Sequence, residues 1–149
     1  MTFDELDRSL PNGFHDAYIK RIDVDYSTRT AALVVSFWVG TTVDPPERDR
    51  LRDGRVDFEG LESIVIEPPK CEIPLKARSE PWVDSYWDES TRPAAMQSLR
   101  VPEGCFVGGL WVHQWCSSIF VVARNARHTW LDFAEGTEGA SKGENPSEP

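Results

Sequence analysis

The chain has three histidines and three cysteines, few enough to weigh one at a time. His15 and Asp16 follow the turn signal Asn12-Gly13, and a histidine beside an acid is the pairing of a general base with its orienting group. If a strand begins at Phe14, alternation sends the two side chains to opposite faces, so they are expected not to act together. One of the pair is then expected to hydrogen-bond backbone at the strand's start.

His113 and Cys116, with Cys105 and either Cys71 or His128, are metal-ligand types. Structural zinc uses Cys-x-x-Cys or closely spaced histidine pairs, and neither spacing occurs. Cys116 beside His113, or Ser117, lacks a Gly-x-Ser-x-Gly elbow or any motif that would supply an oxyanion hole. Asp23 with Asp25, or Glu59 with Glu62, invite a general acid and base reading, but alternation puts Asp23 and Asp25 on the solvent face as ordinary solubility residues. Gly108-Gly109 lies inside a strand pattern without the helix start that phosphate binding needs. No catalytic residue, metal or cofactor is therefore assigned. The residues expected to bind something are Trp111, His113 and Trp115, which share one strand parity, together with His15 and Asp16.

The rest of the chain must position these groups. Its 149 residues fit one domain, and folding at that size buries roughly two-thirds of the surface that the unfolded chain exposes. An odd cysteine count and the lack of a charged, then apolar, opening point to free thiols and the cytoplasm. The longest apolar run, Ala31 to Gly40, falls short of the about 18 residues needed to span a bilayer as a helix. A net charge of −9 argues against nucleic acid. It suits a basic protein partner better.

Thr2, with Glu5 three residues on and Phe3, Leu6 and Leu10 at helical spacing, predicts a short N-terminal helix ended by Pro11. Phe14 to Tyr26 alternates, with Ala17 and Ile19 out of step with Ile22, Val24 and Tyr26; a bulge near Lys20-Arg21 would bring both sets onto one face. After a short connection, Ala31 to Gly40 is apolar on both parities, as in a central strand covered on two sides or by a partner subunit. Thr41 to Gly54 reads as a loop, and Arg55 to Pro69 as a strand broken or bulged at Gly60.

Lys70 to Glu103 shows no sustained period; its one helical stretch is Ala94 to Leu99, and Trp82, Tyr86 and Trp87 are the side chains able to pin it over the sheet. Cys105 to Trp115 and Ser117 to Phe133, with a turn at Arg124 to Ala126, predict three consecutive antiparallel strands. The fold class is mainly β: about six antiparallel strands as a curled sheet, half-barrel or sandwich, over residues 1–133. Residues 134–149, with no large apolar side chain, predict a disordered acidic tail.

The blocks Leu10 to Gly40, opening Asn-Gly-Phe-His-Asp-Ala, and Leu110 to Phe133, rich in aromatic strand residues, resemble a loose group of small bacterial β-rich proteins. Some of that group are proposed as immunity proteins against toxins. The resemblance is weak through Thr41 to Glu103 and implies no catalytic residues. Together with the charge, it implies a non-enzymatic cytoplasmic module that binds a protein. Two other readings are a small-ligand or hydrolytic site inside the curl, lined by Trp38, Trp111 and Trp130 with His15 or His113 as anchor, and a homodimeric scaffold joined through Ala31 to Gly40.

Overall fold

A computed structural model describes residues 1–40, 50–70, 81–86 and 89–131. The tail expected at 134–149, most of the loop expected from Thr41, and Cys71 and Trp87 lie outside the described residues. The chain forms α1 (Phe3–Ser9), β1 (Ala17–Asp25), β2 (Thr30–Trp38), β3 (Leu51–Glu59), β4 (Ser63–Ile66), β5 (Trp82–Ser85), α2 (Ala94–Gln97), β6 (Phe106–Val112), β7 (Ser117–Ala123) and β8 (Asn125–Trp130), with 3₁₀ turns at Glu89–Thr91 and His113–Trp115. Among the described residues the eight strands belong to one antiparallel sheet, ordered β4-β7-β6-β5-β1-β2-β3-β8.

The helix is closed at its start as its sequence requires. The Glu5 N–H donates to the Thr2 hydroxyl at 3.2 Å, and the Thr2 N–H donates to Glu5 Oε2 at 2.7 Å. Two otherwise orphaned donors are thus satisfied. Phe3, Leu6 and Leu10 are buried against the sheet. Thr2→Ala is expected to cost about 1 kcal/mol, seen as a fall of roughly 2–4 °C in the thermal midpoint.

In the hairpin of β1 and β2 the register slips between Ile19 and Arg21, leaving Lys20 as the extra residue. That bulge lets Ile19 and Ile22 face the same core despite opposite parity. Val24 and Tyr26 run past the core and are exposed. On β2, Ala31, Leu33, Val35 and Phe37 are buried in the core. Ala32 and Ser36 on the other face are buried too, and the chain's own polar groups lie over that face: Ser36 Oγ donates to Asp53, which accepts from Lys20 Nζ at 2.8 Å.

Two strands exceed the expected six. β4 separates from β3 at Gly60, whose φ of 61° breaks the long strand. β5 comes from the segment without a period; instead of crossing over the sheet, it lies within it between β1 and β6. β3 also begins earlier than expected, because Leu51 to Gly54 pair with Trp38 to Val35.

The third correction concerns β8. It pairs with β3 and not with β7, since only Arg124 separates β7 from β8, too little chain for a hairpin turn. The pairing of β3 with β8 therefore passes through a corner into that of β4 with β7, where the Arg124 N–H donates to Glu59 O at 3.0 Å and the Glu62 N–H to Val122 O at 2.8 Å. One face of the sheet packs on a core of Phe14, Phe37, Phe58, Leu33 and Leu110, to which α1 adds Phe3 and Leu6. Cys105 is free, while Cys116 is disulfide-bonded. Free thiols throughout were expected, so the thiol argument for a reducing compartment does not hold at Cys116.

Candidate functional site

The turn before β1 is built by a glycine and two polar side chains. Gly13 has φ 59°, and a Cβ there would lie 2.6 Å from Asp7 Oδ1, so only glycine suits the position. Asp7 Oδ1 accepts the Phe14 N–H at 2.8 Å, and Asn12 Nδ2 donates to Trp38 O at 2.9 Å and Gly40 O at 3.1 Å. Phe14 points inward, stacked on Phe3 at 5.2 Å. His15 is thereby turned outward, with its side chain 66% exposed.

The strand starts at Ala17, three residues later than expected, and Asp16 adopts φ 55° in the turn. Strand alternation therefore does not separate His15 from Asp16. Their side chains meet, with His15 Nε2 at 3.3 Å from Asp16 Oδ2.

Asp84 of β5 gathers the rest. Its Oδ1 lies 2.9 Å from His15 Nδ1 and accepts the Asp16 N–H at 3.2 Å, and its Oδ2 lies 2.7 Å from His113 Nε2. An ionised carboxylate only accepts, so both imidazole contacts are N–H donations to Asp84. Burial alone would push the Asp84 carboxyl up, but the bonds from His113, His15 and the Asp16 amide outweigh it and hold it below the ordinary 3.8. The bond to Asp84 raises His15 above its ordinary 6.5 against the opposing effect of burial, with Asp16 adding to the rise.

His113 is fixed by its neighbours. Trp82 stacks on its ring at 4.0 Å and 14°, and Trp111, paired across the strands with Asp84, meets it edge-on at 6.4 Å. The 3₁₀ turn that carries His113 is tied back by Gln114 Oε1, which accepts the Trp82 N–H at 2.7 Å.

Of the residues read from sequence as binding, His15, Asp16, His113 and Trp111 come together around one carboxylate. Trp115 packs against the hydrophobic core instead. The residue missed is Asp84; Trp82 to Ser85 does alternate, with Val83 and Ser85 buried, but four residues are too few to establish a period.

A cleft of about 580 Å³ opens beside this cluster, between α1, the turn and β5. Asp4, Asp7, Arg8, His15, Asp84 and Ser85 line it, with Leu10 as part of its apolar wall. The interior of the curl, expected as the ligand space, is occupied by core side chains. Trp38 borders a smaller hollow of about 260 Å³ with Asp16, Tyr18 and Leu51. Trp130 and His128 pack edge-on against Phe37, and the Arg52 guanidinium lies 4.5 Å above the Trp130 ring.

Asp7, in the cleft wall, has its carboxyl raised above 3.8 by burial, opposed by the bonds from the Phe14 amide and Ser85. A carboxyl whose folded value is raised stabilises fully below 3.8, and that contribution is lost as pH rises through the folded value. Asp7→Asn keeps an oxygen for the Phe14 N–H without the buried charge. It is expected to raise the thermal midpoint at pH 7, with the gain vanishing near pH 3. Thermal unfolding at the two pH values checks this.

Asp84 thus orients two imidazoles and places the largely exposed His15 ring at a cleft edge, with its Nε2 beside Asp16, an arrangement able to move a proton. No protein-family model, curated protein or solved structure matches this chain.

Proposed function

We propose that this protein binds a small amine- or hydroxyl-bearing molecule in the cleft between α1 and β5, with His15 exchanging a proton with it. What carries the reading is the convergence of His15 and His113 on the Asp84 carboxylate beside that cleft. A histidine oriented through Nδ1 can exchange a proton at Nε2, and the bond to Asp84 raises the His15 value above its ordinary 6.5. Asp4, Asp7 and Asp84 outnumber Arg8 in the lining, an excess of carboxylate that favours a cationic or hydrogen-bond-donating ligand over an anion.

Chemical-shift mapping with a panel of small amines and polyols tests this. Shifts are expected at Gly13, His15, Asp84 and Ser85, and at least a tenfold loss of affinity in Asp84→Asn. A panel without a binder at these positions removes the reading.

A second reading, a protein-binding module of immunity or inhibitor type, is supported by the net charge of −9 and by the exposed Val65 and Ile66 on edge strand β4. Its association with a basic partner would be steered electrostatically. The association rate would then fall at least tenfold between low salt and about 0.5 M salt. Among the described residues, no helix is long and apolar enough to cross a membrane.

A further inference from the structure

The His15 ring lies between two carboxylates. Its Nδ1 is 2.9 Å from Asp84 Oδ1, and its Nε2 is 3.3 Å from Asp16 Oδ2. A carboxylate only accepts, so closing both contacts takes a proton on each ring nitrogen, which only the imidazolium carries. The charged ring thereby ties the turn before β1 to β5, and the Asp16 N–H adds a second tie by donating to Asp84 Oδ1 at 3.2 Å. The turn needs holding, because Asp16 sits at φ 55°, where a side chain is disfavoured.

We propose that His15 is a pH-operated latch on the cleft, closed while its ring is charged and opened by loss of the Nε2 proton. The neutral ring keeps its Nδ1–H for Asp84 and turns a lone pair toward Asp16, so attraction at 3.3 Å becomes repulsion between two acceptors. Asp16 has room to withdraw, since it borders the hollow of about 260 Å³ that Tyr18, Trp38 and Leu51 also line. The proton passes to water, and Nε2 is left free to accept one from a molecule in the cleft. This rests on the proposed role of His15 and adds the regulation of that site.

Among the described residues, Asp16 faces the ring from its own turn and Asp84 from β5, with His113 bonded to the far Asp84 oxygen; Asp4, Asp7 and Arg8 of α1 line the same cleft. The bond to Asp84 and the charge of Asp16 raise the His15 value above 6.5 against burial, so the latch is closed at that pH and below.

NMR of the ligand-free full chain from about pH 5 to about pH 8 is the test. The His15 ring and the Gly13, Asp16 and Asp84 amides should titrate with one shared midpoint. Through it, the exchange protection of the Asp16 amide should fall about two- to fivefold, as expected for loss of one exposed ion pair. In His15→Gln, which cannot take a charge, that fall should vanish. In Asp16→Asn, which tolerates the positive φ, the ring midpoint should move down. The two side chains are 66% and 42% exposed, so both variants should keep the wild-type circular dichroism.

Asp16 protection unchanged through the His15 midpoint, a fall that persists in His15→Gln, or an unmoved midpoint in Asp16→Asn overturns the latch. Amine or polyol binding in the cleft without the change in protection overturns the latch and leaves the proposed function standing. A working latch without a binder in the panel overturns the proposed function alone.

Discussion

Gly108→Ala is expected to lower stability by about 3 kcal/mol, seen as a fall of roughly 6–12 °C in the thermal midpoint. A Cβ at Gly108 would lie 2.4 Å from Phe3 Cγ, 2.5 Å from its Cδ2 and 2.8 Å from its Cβ. Those atoms begin a buried ring, 3% exposed, stacked on Phe14 and on Phe58 at 6.5 Å. The ring has no free space to retreat into without opening the core, and Phe3 forms the first turn of α1. The added methyl therefore displaces the helix from the sheet.

Two comparisons isolate that cause. Gly104→Ala meets nothing within 4 Å but sits at φ 76°, so it should cost only backbone strain of about 1–2 kcal/mol. Phe3→Ala alone should cost about 3–5 kcal/mol by emptying its site. Because the alanine methyl then occupies part of that space, Gly108→Ala added to Phe3→Ala should cost far less than in the parent. Additive costs in that double-mutant cycle would show that the ring and the strand do not compete for one volume.

Asp84→Asn should act on the site more than on the fold. Both imidazoles lose a charged acceptor, and an amide oxygen cannot replace both carboxylate oxygens. The side chain of Asp84 is 25% exposed and that of His15 66%, so solvent screening limits the stability loss to about 1–2 kcal/mol.

The pH window follows from the two shifts. His15, raised above 6.5, stabilises fully below that value and loses its contribution as pH climbs through its folded value. Asp84, lowered below 3.8, stabilises above that value and loses its contribution as pH falls through its folded value. The stability gap between parent and Asp84→Asn should thus be widest between about pH 4 and pH 6.5 and close on both sides. In the variant, the His15 titration followed by its ring carbon–proton resonance should move down. A gap independent of pH, or an unmoved His15 titration, would mean that the carboxylate does not hold the ring.

Local chemistry was legible where one short segment contains both the cause and its effect. Thr2 and Glu5 bond each other within one turn of helix, so the capping box is visible as spacing. The Lys20 bulge could be read because the apolar residues on either side of it change parity within one strand. Gly108-Gly109 is legible as two glycines inside a strand pattern, although nothing in the chain order says that Phe3 packs against Gly108. A strand start at Phe14 would send His15 and Asp16 to opposite faces; the later start at Ala17 and the positive φ at Asp16 bring them together.

By itself, the sequence determined a β-rich domain with a capped N-terminal helix, its main strand segments, and an acidic surface. These depend on side-chain period, on caps and on summed charge, all of which act over a few residues or over the whole chain. Tertiary structure alone decided that β5 sits between β1 and β6, that β8 turns the corner to β3, and that Asp84 stands between His15 and His113. Those two histidines are 98 positions apart in the chain. Which acid they share depends on where distant strands pair, and that choice is made by burial of the whole core, which no single segment encodes.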